Sequence, residues 1–150
     1  MSIFNEKRLL QICVLICASV PVAAGLAGVV RGYDWLLDEQ WRSIFPLFPG
    51  ELAPGLDLDS HFRYMSGLLL AIGLGFWSYV PTIETKTARF KLLTMIVVMG
   101  GMARLIGLIS IGVPRGGMLF GLFMELIITP LLYLWQRRIS RLFKGNIALQ

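Results

Sequence analysis

Apolar residues fill four stretches of the chain, and polar residues bracket each of them. The first runs from Leu9 to Val30 without a charge. The second, Tyr64 to Val80, is the shortest. The third, Leu92 to Val113, holds one charge, Arg104, and the fourth, Gly116 to Trp135, also holds one, Glu125. A helix needs about 20 mostly apolar residues to cross a bilayer, so each run predicts a transmembrane helix. The second reaches only ~25 Å, a thin fit to the hydrocarbon core. The expected fold class is all-α: a polytopic membrane protein, a four-transmembrane-helix bundle. It forms one domain over residues 1–150, with spans at about 9–30, 64–80, 92–113 and 116–135.

Composition agrees. Apolar residues make up 56% of the chain, only 15% is charged and the mean hydropathy is +0.71, too little charge to cover a water-soluble domain of this size. Lys7 and Arg8 ahead of the first run, with Val22-Ala23-Ala24 near its end, also resemble a secretory signal peptide. The apolar stretch continues past that point to Val30, so a retained span is expected, and the other spans keep their orientation in either case.

Basic residues set the orientation. Lys7, Arg8, Lys86, Arg89, Lys91, Arg137, Arg138, Arg141 and Lys144, nine in all, fall on one side; Arg31, Arg42, Arg63 and Arg115 fall on the other. Both termini are therefore expected in the cytoplasm and the 31–63 loop outside. The net charge of +5 does not imply nucleic acid, because the basic residues bracket apolar runs instead of forming a stripe. Membrane lipids are the expected partners, followed by a second copy of the chain or a larger membrane complex.

The long outer loop carries six acids together with Trp35, Leu37, Trp41, Ile44, Phe45 and Phe48. Five of these, from Leu37 to Phe48, follow a helical stripe, which predicts either a short helix in the membrane interface or a loop packed over the mouth of the bundle. Asp59 or Ser60 is expected to cap the second span, and Pro81 with Glu84 to end it as a helix stop and a loop charge. Small residues recur at Gly67, Ala71 and Gly75, at Gly100, and at Gly117 and Gly121, the pattern that lets helix backbones approach in lipid. Cys13 and Cys17 share one face of the first span and read as small packing residues.

Two charges inside spans need a reason. Arg104 and Glu125 each lie about two turns, ~10 Å, from the short loop joining spans three and four, so their depths match. An ion pair is expected. His61 and Arg63 stand near the outer start of span two, and one turn of displacement would bring them to the same level. The candidate ligand-binding pocket is therefore His61, Arg63, Arg104 and Glu125, open to the outer face and suited to a lipid headgroup or another small anion. An Arg–Glu pair that only fixes helix register is the competing reading.

Asp59-Ser60-His61-Phe62-Arg63-Tyr64 with Gly67, then Pro81, Glu84 and Arg89, Gly100-Gly101 with Arg104, Gly112-Val113-Pro114, and Glu125 with Pro130, resemble in order and spacing the family of small bacterial membrane proteins described as domain of unknown function 4345. The resemblance covers the first span and the chain from Asp59 to Arg138. It implies a four-helix protein of the bacterial inner (plasma) membrane and brings no activity with it. A looser likeness to DoxX-like proteins rests on topology and an intramembrane arginine.

No phosphate loop, metal-spaced His/Cys cluster or Ser-His-Asp set is present, and a single histidine argues against a metal site, so no metal or cofactor is expected. Three functions remain. The first is a binding or accessory protein that holds a lipid or hydrophobic ligand. The second is a small oligomeric transporter or channel. The third is a membrane enzyme using Glu125 or His61 as its acid–base group.

Overall fold

The computed structural model describes residues 3–32, 56–114 and 116–147. The helix expected across Leu37 to Phe48 lies outside the described residues. Among those described there is no strand, and the chain is helical almost throughout. Helix α1 spans Ile3–Arg31, α2 Leu56–Tyr79, α3 Thr87–Ser110, α4 Gly116–Phe123 and α5 Thr129–Ile147. A 3-10 turn, Val80–Thr82, follows α2, and a π-helical turn, Met124–Ile128, joins α4 to α5 in one continuous rod. These elements make four helices long and apolar enough to cross a membrane, the last being Gly116–Gly145. The first turns of α1, the latter part of α5 and the turn after α2 gather at one end of the bundle, the terminal end; the opposite end is the loop end.

The second span departs from expectation. Helix α2 begins at Leu56, eight residues before Tyr64, and its 24 residues make the fit to the bilayer comfortable, at ~1.5 Å per residue. Asp59 and Ser60 therefore lie inside the helix and do not cap it. Arg63 Nε donates to Asp59 Oδ2 at 2.7 Å, one turn apart, and an acid near a helix N-terminus is favoured by the backbone dipole. Polar residues can prolong a helix beyond the hydrocarbon, where apolar run length no longer reports its end.

Helices α1 and α2 pack most closely. A Cβ on Gly25 would stand 2.6 Å from the Leu70 backbone nitrogen, and one on Gly73 would stand 2.6 Å from Val22 Cγ2. Gly28 faces Ser66 in the same way. Trp77 Nε1 donates to the Leu15 carbonyl at 3.2 Å. Close backbone approach, not transfer out of water, holds such helices together in lipid. Of the small residues expected on α2, Gly75 meets Leu93 of α3 and Gly67 only grazes Val29, while Ala71 is exposed.

The buried apolar core is confined to the terminal half. It comprises Leu10, Val14 and Ala18 of α1, Phe76, Val80, Ile83, Phe90 and Ile139. Phe76 and Phe90 meet edge to face with centroids 5.1 Å apart, the point where α2 joins α3. Toward the loop end α3 stands bare: Ile106 and Ile109 are 64% and 77% exposed. Among the described residues α2 approaches neither α4 nor α5. Among the described residues, two helical pairs thus join at the terminal end and do not meet at the other.

Candidate functional site

Arg104 and Glu125 are brought together by α3 and the π turn. Pro130 explains the turn. It has no N–H for the Leu126 carbonyl, and its ring crowds that carbonyl. The chain responds by widening: both the N–H and the Oγ1 of Thr129 reach back five residues to the Met124 carbonyl, the hydroxyl at 2.8 Å. Such π turns recur at functional sites. Glu125 sits in the widened turn. Gly101 of α3 lies against it; a Cβ there would stand 3.0 Å from Glu125 Cβ and 2.7 Å from Leu126 Cδ2.

Arg104 Nε stands 3.2 Å from Glu125 Oε2, with the side chains 42% and 18% exposed. The separation is that of an ion pair, yet Oε2 accepts no hydrogen bond, because the Nε–H does not point along the line between them. Arg104 Nη1 donates to Met118 Sδ at 3.1 Å and lies beside Gly121. Gly100, expected to allow the approach of the two helices, has nothing within 4 Å; its neighbour Gly101 takes that role.

Arg63 has other partners. Its Nη1 donates to the Val29 and Val30 carbonyls at 2.8 and 3.1 Å, satisfying two of the carbonyls left open at the end of α1. Gly32 (φ +65) closes α1 with its N–H on the Gly28 carbonyl at 2.9 Å, and any side chain there would run into Asp59 and Arg63. His61 is exposed, with its ring 6.4 Å from that of Tyr64. The structure thus pairs Arg104 with Glu125 and directs Arg63 to the α1 terminus.

A second polar cluster was not anticipated. At the terminal end Lys7 Nζ lies 2.8 Å from Glu84 Oε1, Trp135 Nε1 donates to Glu6 Oε1 at 3.1 Å, and Arg138 Nε stands 3.6 Å from the same oxygen. Gln11 donates to the Val80 carbonyl at 2.7 Å. Gln136, fully buried, donates to the Ile83 carbonyl at 2.6 Å and to Thr87 Oγ1 at 3.0 Å. Glu84 is therefore no loose loop charge but a buried partner of α1. The available signal was the recurrence of Glu6, Gln11, Glu84 and Gln136 at the same ends of apolar runs.

An integral membrane bundle with a charge pair set inside two of its apolar helices is the class of protein that the fold and the site define. The chain belongs to the family described as domain of unknown function (DUF4345), whose model matches residues 9–136. No curated protein and no solved structure shows significant similarity to it.

Proposed function

We propose that this protein is a membrane-embedded binding protein, either free or as an accessory subunit, that holds a lipid or hydrophobic ligand beside Arg104 and Glu125. One observation carries the reading. A guanidinium set two turns inside an apolar helix stays 42% exposed and shares only a misaligned contact with its carboxylate. A pair built only to fix helix register gains most from full burial and a two-pronged hydrogen bond. His61 and Arg63 would meet headgroups of the same leaflet from the rim, each from its own place on α2. The basic residues at the terminal end favour a cytoplasmic setting for both termini in a bacterial inner membrane.

The test is native mass spectrometry of protein extracted gently from its own membrane. Co-purified lipid that falls away in Arg104→Gln supports the reading; equal lipid retention by both proteins refutes it. A small oligomeric transporter or channel is the second reading. It is favoured by the uncovered loop-end half of α3, where Gly100 and Gly107 have nothing within 4 Å. A stable oligomer in the same spectra, with solute flux in proteoliposomes, would favour it.

A further inference from the structure

Arg104 makes little use of its donors for a group set in an apolar helix. A guanidinium offers five N–H groups in a planar fork. Here Nε–H misses Glu125 Oε2, and Nη1 meets Met118 Sδ at 3.1 Å. A thioether is a weak acceptor, and a charged donor in hydrocarbon without a good acceptor is costly. The Nη1–Nη2 edge therefore faces nothing better than sulfur among the described residues. That edge matches two oxygens of an oxyanion.

The surroundings select the molecule that carries the oxyanion. Between Arg104 and the loop end, Ile106, Ile109 and Ile111 are 64%, 77% and 91% exposed. A soluble anion would have to pass ~10 Å of this apolar rim, at ~1.5 Å per residue. An amphiphile already lies in it. Gly100 and Gly107, one turn to either side of Arg104, have nothing within 4 Å and leave bare backbone against which an acyl chain can lie.

We propose that Arg104 binds the phosphate of an anionic phospholipid of the loop-end leaflet, its Nη1–Nη2 edge taking phosphate oxygens in place of Met118 Sδ, with an acyl chain along Gly100 and Gly107. This rests on the binding reading above and narrows its ligand to an anionic lipid. Glu125 competes for the same guanidinium, so neutralising it strengthens the hold on the lipid. The thioether is displaced, so Met118 is dispensable.

The full chain in neutral detergent, titrated with dioleoyl phosphatidylglycerol, dioleoylglycerol or inorganic phosphate and read by native mass spectrometry, tests the proposal. The wild type should retain phosphatidylglycerol and ignore the other two. Arg104→Gln should weaken retention about tenfold, equivalent to the loss of one charged contact. Arg104→Lys, which keeps the charge but lacks the fork, should weaken it by a smaller factor and guards against a folding defect in the first variant. Glu125→Gln should strengthen it, and Met118→Leu should leave it intact. Phosphatidylglycerol binding unchanged in both Arg104 variants overturns the proposal. Diacylglycerol retained as tightly, and lost in Arg104→Gln, overturns the anionic assignment while leaving the binding reading in place. Inorganic phosphate bound without lipid overturns the lipid assignment. A chain in which no lipid responds to Arg104 removes both the proposal and the reading beneath it.

Discussion

Lys7 Nζ lies 2.8 Å from Glu84 Oε1, which ties the first turns of α1 to the turn between α2 and α3 across a gap of 77 positions. The side chains are 22% and 10% exposed, so the contact is largely desolvated. Removing one partner leaves the other charge buried. Glu84→Ala is expected to lower stability by about 2–3 kcal/mol, less than the full cost of a lone buried charge, because Lys7 can extend its ammonium toward water. Thermal unfolding in detergent measures it. Lys7→Met with Glu84→Leu should recover most of the loss.

Gly100 and Gly101 are adjacent yet point to different surroundings. A Cβ on Gly101 would meet Leu126 Cδ2 at 2.7 Å and Glu125 Cβ at 3.0 Å; on Gly100 it would meet nothing within 4 Å. Gly101→Ala is expected to cost about 1–3 kcal/mol by forcing α3 from the π turn. Gly100→Ala should be neutral or stabilising by up to ~1 kcal/mol, since alanine is the better helix former. Melting temperatures of the two variants, compared side by side, decide it.

That pair shows where reading the sequence stops. The four spans were legible because apolar run length measures hydrocarbon thickness directly. The Arg104–Glu125 pairing was legible because helical rise converts sequence position into depth. The rotation of α3 about its axis was not: one residue turns the face by about 100°, and small residues at positions 100, 101 and 107 fit more than one contact face. The start of α2 was missed because Asp59, His61 and Arg63 are polar, and hydropathy ends a span where the membrane ends, not where the helix does. The π turn was missed because its cause is local chemistry at Thr129-Pro130, which leaves the apolar pattern unchanged. The terminal cluster joins Glu6 and Gln11 of α1, Glu84 of the turn after α2 and Gln136 of α5, three segments that only the fold puts together.

Arg63 is expected to act on the α1–α2 junction. It donates to the Val29 and Val30 carbonyls and to Asp59, and it does so while partly exposed. Arg63→Ala should lower stability by about 1–2 kcal/mol through the lost charged hydrogen bonds to the helix end. Hydrogen exchange of the last turn of α1 reports the site directly: the amides near Val29 should exchange faster while those of α5 do not change. Equal exchange in both proteins would show that the carbonyls find other donors.

The proposed orientation, with both termini in the cytoplasm, rests on the nine basic residues that the sequence assigns to one side against four on the other. A C-terminal fluorescent reporter that matures only in the cytoplasm should be bright, and an alkaline phosphatase fused at Gly50 should be active. An active phosphatase at the C-terminus would invert the assignment and move the Arg104 site to the opposite leaflet.

The Arg104–Glu125 pair is expected to be coupled and asymmetric. Glu125 is the more buried partner, 18% exposed against 42% for Arg104. Arg104→Met leaves a carboxylate in the π turn, where it is too short to reach water. Glu125→Gln leaves a guanidinium on a long stem that can extend toward the loop end. The first substitution should therefore cost more than the second, by about 1 kcal/mol or more, given the ~2.5–3.5 kcal/mol that an isolated charge costs at mid-span. The double variant should cost less than the sum of the singles, since it leaves no lone charge. Unfolding of the four proteins in detergent, with lipid-free and lipid-doped micelles, completes the cycle. Additive losses would mean that the 3.2 Å separation carries no energetic coupling. Coupling that appears without lipid and shrinks when phosphatidylglycerol is added would mean that the lipid and Glu125 compete for one guanidinium.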